Sequence, residues 1–459
     1  MVAIGSSAWG ASAPRTPHDA LIGTWSGSAV FQDARLELSV RFSREGGALR
    51  ASMSSPDLML LDQPLQSVQA TPRTVRFVTP DEHPLRFEGV LAGDSIHGTA
   101  AAPAVAGIVA ADLASRPIRF ALARSATPAA PSYAIRDVRF ASGSVQLAGT
   151  TFLPASAGSP HAGIVLLQGS SSNLRREYRY YADRFARAGF AVLTFDKRGN
   201  GESTGDYGAA TYEVLAGDAA AAVEFLRAQP QVNPQCVGVW GLSQGAFIAP
   251  LVAARVPAVA FIVAVSAPGM PIGESAIYQD SVRLTSAGFD PADVLRVTTI
   301  DRRVSDWLRT GQAANELSAL LREAAGTPWR RASSLPAELP SGASLAGWYW
   351  RGRTLDPIPA WREVHVPVLA VYGAADELVP ARQSAQFVER ALLKGGNHDV
   401  TVRVFTNANH IMRTLPLVAG GKWDWPRVAP GYLELVTDWL LEHSQRAPAP
   451  EPKPKHKSR

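Results

Sequence analysis

Val237-Gly238-Val239-Trp240-Gly241-Leu242-Ser243-Gln244-Gly245-Ala246 is a short apolar run that passes into Gly-x-Ser-x-Gly and then into a helical pattern. A strand that turns this sharply into a helix leaves no room for side chains on either side of the central serine, which accounts for both glycines. Ser243 is thereby pushed out at the strand end, at the N-terminus of a helix whose dipole favours developing negative charge. A plain Gly/Ser turn is the alternative reading. The strand before the motif and the helix after it instead give Ser243 the setting of a nucleophile elbow.

A serine hydroxyl is a weak nucleophile, so a base and a group that orients the base must lie elsewhere in the chain. The chain order that goes with this elbow is serine, acid, histidine, which leaves His365, His398, His410, His443 and His456. His365 precedes the best acid candidate, His398 reads as a turn into the strand Val400 to Phe405, His443 ends a helix and His456 lies in a basic tail. His410, in Thr406-Asn407-Ala408-Asn409-His410, falls just beyond that strand's C-terminal end, the edge where parallel sheets place their sites. The same edge selects Asp376, on the loop Gly373-Ala374-Ala375-Asp376 after the strand Val366 to Tyr372, with Pro380 opening the next helix. Glu377 is its rival and reads as solvated; Asp356, before the strand, reads as a turn former.

Acyl transfer also needs backbone N–H groups fixed around the developing oxyanion. One is expected from Gln244, the residue after the nucleophile. The other is expected from the loop Gln168-Gly169-Ser170-Ser171-Ser172-Asn173 after the strand Ile164 to Leu167, with Ser170 preferred and Ser171 the runner-up.

These pieces resemble the serine α/β-hydrolases from about Tyr133 to His443, and within them bacterial carboxylesterases that carry an additional N-terminal β-domain. The elbow, the acid loop, Asn409-His410 and Phe195-Asp196-Lys197-Arg198-Gly199-Asn200-Gly201-Glu202-Ser203 carry the likeness. The resemblance implies that the Asp-x-Arg-Gly-x-Gly-x-Ser run is a structural loop without catalytic work. One departure is Gln168-Gly169 and Leu242-Ser243-Gln244, where many relatives have His-Gly and Gly-His-Ser; backbone donors do not depend on that side chain. The expected reaction is cleavage of a small-molecule carboxylic ester through an acyl-enzyme, with Ser243, Asp376 and His410 as triad. No cofactor and no metal are expected. A peptidase or amidase, an acyltransferase and a non-catalytic binding protein remain as alternatives.

With 459 residues and 46% hydrophobic content, two domains with real cores are expected. The formal charge is +5, of which the tail cations Lys453, Lys455, Lys457 and Arg459, less Glu451, supply +3. The near-neutral body argues against a nucleic-acid partner. Cys236, the single cysteine, allows no intrachain disulfide. No His-Glu-x-x-His or Ser-x-x-Lys occurs, and no apolar run reaches the roughly 18 residues of a membrane span.

Residues 20–125 alternate apolar and polar in short runs, as in Arg35 to Phe42, with a hairpin around Ala92-Gly93-Asp94, predicting a small all-β sandwich or barrel. A linker at 126–132 leads to a domain at 133–445 whose strands and helices alternate. They predict an α/β-hydrolase fold with a mostly parallel central sheet. Alternation stops at 272–360, read as a helical cap insertion with helices at Pro291 to Leu308, capped by Asp290, and Ala313 to Ala325. Trp329, Trp348 and Trp350 in it read as core anchors or as lining for an apolar substrate group. Ala11-Ser12-Ala13 within 1–19 has the form of a signal-peptidase site, so export is expected over a cytoplasmic location. The Pro-rich basic run 446–459 is expected to be disordered.

Overall fold

The computed structural model describes residues 20–79, 84–101, 117–126, 129–155, 160–416 and 422–444. The expected leader, the tail and part of the linker lie outside the described residues. Two compact units divide the chain, Met1–Ala129 with Gly421–Trp425, and Ala130–Gly420 with Pro426–Arg459.

In the first unit nine strands form one antiparallel sheet: β1 (Gly23–Phe31), β2 (Ala34–Glu45), β3 (Ala48–Ser55), β4 (Leu60–Pro64), β5 (Ser67–Ala70), β6 (Thr74–Val78), β7 (Arg86–Ala92), β8 (Ser95–Ala101) and β9 (Ile118–Ser125). Their order is β4-β3-β2-β1-β9-β8-β7-β6-β5. Alternation puts Leu36, Leu38, Val40 and Phe42 of β2 on the buried face. Gly93 and Asp94 make the tight β7–β8 turn, with Gly93 at φ +59°. Phe42 of β2 and Phe77 of β6 are five strand steps apart, roughly 24 Å in a flat sheet, yet their ring centroids are 6.3 Å apart. The sheet therefore rolls around one aromatic core, which is the barrel-like one of the two forms expected. One difference concerns the domain boundaries. Residues Gly421–Trp425, expected in the second domain, belong to this unit: Trp423 stacks edge-on against Phe31 at 4.8 Å, and Trp425 Nε1 donates to Ala34 O at 3.2 Å.

The second unit holds an eight-stranded sheet of β10 (Tyr133–Ser142), β11 (Val145–Pro154), β12 (His161–Leu167), β13 (Ala191–Phe195), β14 (Val232–Leu242), β15 (Val259–Val265), β16 (Val368–Gly373) and β17 (Val400–Phe405), in the order β10-β11-β13-β12-β14-β15-β16-β17. The first three are joined antiparallel and the rest run parallel. β13 and β16 are buried at every position, as β-branched runs covered on both faces must be. The covering helices are α1 (Arg179–Arg187), entered through a 3₁₀ turn at Arg175–Tyr178, α2 (Tyr212–Arg227) and α3 (Gln244–Arg255).

Between β15 and β16 come α4 (Ile272–Ser286), α5 (Pro291–Thr310), α6 (Ala314–Ala324), α7 (Gly342–Ala346), α8 (Trp348–Gly352) and α9 (Ile358–Arg362). Asp290 caps α5 by accepting from Ala292 N at 2.7 Å, and Gly311 ends it at φ +71°. Leu284, Val297, Val304, Leu321 and Trp329 give this insert its own core. The sheet's last helices are α10 (Ala381–Lys394) and α11 (Tyr432–Ser444). Among the described residues no helix is long and apolar enough to cross a membrane.

Candidate active site

Register partners Leu242, Val265 and Val371 lie in one row across β14, β15 and β16, and Gly373 pairs with Phe405 of β17. The loops that follow these strands therefore share one rim of the sheet. Ser243 stands there half-buried, at φ +54° and ψ −111°, its amide held by Val265 O at 2.9 Å. This strained backbone turns the side chain out of the sheet. The glycines are obligatory: a Cβ on Gly241 would lie 2.4 Å from the Gly245 carbonyl carbon, and one on Gly245 would lie 2.1 Å from Leu167 O.

Asp376 and His410 are brought together: His410 Nδ1 lies 2.8 Å from Asp376 Oδ2, both residues being buried. The other carboxylate oxygen accepts from Leu378 N and Val379 N, each at 2.8 Å, so the acid is anchored before it meets the ring. With Nδ1 donating to the carboxylate, Nε2 presents its lone pair elsewhere. Two contacts fix the histidine loop. Ser266, at φ +51° just after β15, donates from Oγ to His410 O at 2.8 Å, and Asn409 Oδ1 accepts from Arg413 N at 2.9 Å. Ser243 and His410 are thus each one hydrogen bond from the adjacent residues Val265 and Ser266. No hydrogen bond joins the Ser243 hydroxyl to the imidazole among the described residues. Glu377, the rival acid, is exposed, and Asp356 caps a turn by accepting from Ile358 N.

The loop after β12 passes beside Ser243: a Cβ on Gly169 would sit 3.7 Å from Ser243 Cβ. The Gly169 amide is taken by the Tyr178 hydroxyl at 3.0 Å. Ser171 stands at φ +145° and its amide faces the Tyr207 hydroxyl. The amides of Ser170 and Gln244 donate to no protein acceptor among the described residues.

The loop Asp196 to Ser203 divides into two roles. Asp196 accepts from Arg175 N and Glu202 N and pairs with the Arg175 guanidinium, and Arg198 makes two 2.6 Å bonds to Asp218. Those residues build the loop, as the resemblance implies. Lys197 instead turns toward the rim: buried, it donates to Gly169 O, to Ser171 O at 3.1 Å and to Gln244 Oε1 at 3.0 Å, with the Tyr207 hydroxyl at 3.4 Å. Burial lowers its pKa from 10.5 to about 7, against a small opposing pull from Glu177. Tyr207, pushed up to about 12 by burial, keeps its proton and donates to Gln244 Oε1 at 2.9 Å.

Within the insert, Tyr278 of α4 donates to Asp376 O at 2.8 Å and Gln279 to Leu378 O at 3.0 Å, so this helix steadies the acid loop. Trp329 is a core anchor. The Trp348 and Tyr207 ring centroids are 5.4 Å apart. A cleft of about 610 Å³, lined by Ile277, Tyr278, Arg302, Pro380 and Phe387, opens beyond the acid loop without including Ser243 or His410. Sequence reasoning missed Lys197, Ser266, Tyr207 and Tyr278. For Lys197 a signal was present, since it is one of six lysines and follows a buried strand. The others carry none.

Comparison with known proteins gives three results. The family model for X-Pro dipeptidyl-peptidase (S15 family) matches residues 142–411. A stretch of 65 residues is 37% identical to a 31.7 kDa protein in the traX-finO intergenic region of Escherichia coli. It covers 14% of this chain and 23% of that protein, so the chain spans under a quarter of this curated relative. Among solved structures, the esterase Pf2001 of Pyrococcus furiosus is similar at 18% identity and TM-score 0.43, covering 71% of this chain and 97% of that one. Est1E of Butyrivibrio proteoclasticus is similar at 17% and 0.41, covering 66% and 96%.

Proposed function

The chain belongs to the X-Pro dipeptidyl-peptidase (S15) family of α/β-hydrolases, and on that premise we propose that it is a serine hydrolase that cleaves small carboxylic esters through an acyl-enzyme. The observation that carries this is the buried Asp376–His410 pair at 2.8 Å, set at the rim where the strained Ser243 projects. In the reaction, His410 Nε2 takes the Ser243 proton as Oγ attacks the carbonyl carbon. Asp376 holds the tautomer and stabilises the imidazolium. The Gln244 and Ser170 amides receive the oxyanion, and the imidazolium then gives its proton to the leaving alcohol. Water, activated by the same nitrogen, releases the acid and restores Ser243. The insert acts as a cap over this rim, with Trp348 flanking the acyl site.

The family match favours a second reading, in which the bond cleaved is a peptide bond. One panel separates the two: p-nitrophenyl esters of increasing acyl length beside X-Pro p-nitroanilides, on wild type and Ser243→Ala. Ester turnover abolished by Ser243→Ala, with anilides turned over far more slowly, is the expected result. The reverse preference establishes the peptidase, and turnover indifferent to Ser243 overturns both.

A further inference from the structure

Resting on that reading of Ser243 and its oxyanion donors, we propose that Lys197 is a positioning residue whose ammonium ties the Gly169–Ser171 loop to the Gln244 side chain, fixing both halves of the oxyanion hole. The two donors come from different strands: the Ser170 amide follows β12, and Gln244 follows β14. Backbone pairing holds the strands, but the loop beyond β12 contains an exposed Ser170 and a Ser171 at φ +145°. Lys197 binds the carbonyls on both sides of Ser170, those of Gly169 and Ser171, and reaches across to Gln244 Oε1. Its three hydrogens match these three carbonyl oxygens, with the Tyr207 hydroxyl a longer contact at 3.4 Å. A misplacement of the donors by about 1 Å costs on the order of a hundredfold in rate.

The clamp requires the charged form, because a neutral amine has two hydrogens for three acceptors. The groups that face it are known. Glu177, on the 3₁₀ turn, draws the ammonium toward the charged state while accepting from Leu174 N and Asn173. Asp218 of α2 shares a small void with Lys197 but is engaged by two guanidinium nitrogens of Arg198. Tyr207 and Tyr212 stay protonated, both pushed up by burial. Desolvation therefore outweighs the charges around it, and the ammonium loses its proton near pH 7. Its contribution to turnover is complete below that pH and fades above it, opposite in sense to His410, which must be neutral to act.

The test is the pH profile of kcat and KM on a p-nitrophenyl ester for wild type, Ser243→Ala, Lys197→Met and Gln244→Glu. Wild type is expected to show an alkaline limb in kcat. Lys197→Met is expected to lose that limb, with kcat down on the order of a hundredfold and KM within about threefold. Gln244→Glu keeps the backbone donor and sets a carboxylate against the ammonium, so the limb should move up by one pH unit or more. If Lys197→Met does not fold, the Gln244→Glu shift decides. Ser243-dependent turnover with a limb indifferent to both substitutions overturns the clamp alone. Turnover that ignores Ser243 overturns the hydrolase reading and the clamp with it.

Discussion

Lys197→Met has a consequence for stability that is independent of turnover. A lysine whose pKa falls from 10.5 unfolded to about 7 folded favours the native state only when deprotonated. Its contribution is therefore present above pH 10.5 and is lost as pH falls toward 7. Between pH 9 and pH 6 the unfolded chain holds the proton throughout while the native state must take it up, which costs about 2 to 3 kcal/mol by linkage. Wild type should thus gain about that much stability from pH 6 to pH 9 relative to Lys197→Met, whatever the offset between the two. The window stops near pH 9 because buried tyrosines such as Tyr178 and Tyr372, raised in the folded state, withdraw stability above it. Cys236 supplies an assay confined to this unit, being the sole cysteine, buried in β14. Urea unfolding followed by brief pulses of a small methanethiosulfonate reports opening of the α/β unit alone. Wild-type and variant curves that stay parallel to within about 0.5 kcal/mol across this range would refute the reasoning.

Four further outcomes are expected. Ser243→Ala and His410→Ala should each lower kcat on the order of a millionfold, and Asp376→Asn about ten-thousandfold, in steady-state ester turnover. Gly245→Ala should unfold the elbow, since its methyl would meet Leu167 O at 2.1 Å; circular dichroism melting and turnover should both collapse. Ser266→Ala removes the donor to His410 O and should lower kcat about tenfold while costing about 1 to 3 kcal/mol in urea unfolding. Trp423→Ala empties a place in the aromatic core of the first unit and should cost that unit about 3 to 5 kcal/mol, read as a lower melting transition in calorimetry.

Local sequence made much of the rim legible because its chemistry is local. Gly241 and Gly245 admit one backbone path, so Ser243 could be named from ten residues. Strands buried on both faces announce themselves as unbroken apolar runs, and loops after them carry Asp376 and His410 in a fixed chain order. The first unit was legible only as alternating strands. Period two tells which face is buried but not whether a sheet meets a partner or rolls on itself, so sandwich and barrel stayed undivided until Phe42 and Phe77 met. Trp423 and Trp425 gave no sign of their allegiance, since a Trp-x-Trp run fits any core.

What the amino-acid order alone determined is each residue's own backbone and the strand end it follows: a serine at a tight turn, a carboxylate and an imidazole beyond later strands. What the tertiary structure alone decided is which side chains converge from different strand ends. Lys197 shows the difference. Its neighbours Asp196 and Arg198 turn back into their own loop, while its ammonium crosses to oxygens at residues 169, 171 and 244. Such a contact depends on the order of strands in the sheet, set by packing of the whole core, and no short stretch of sequence encodes it.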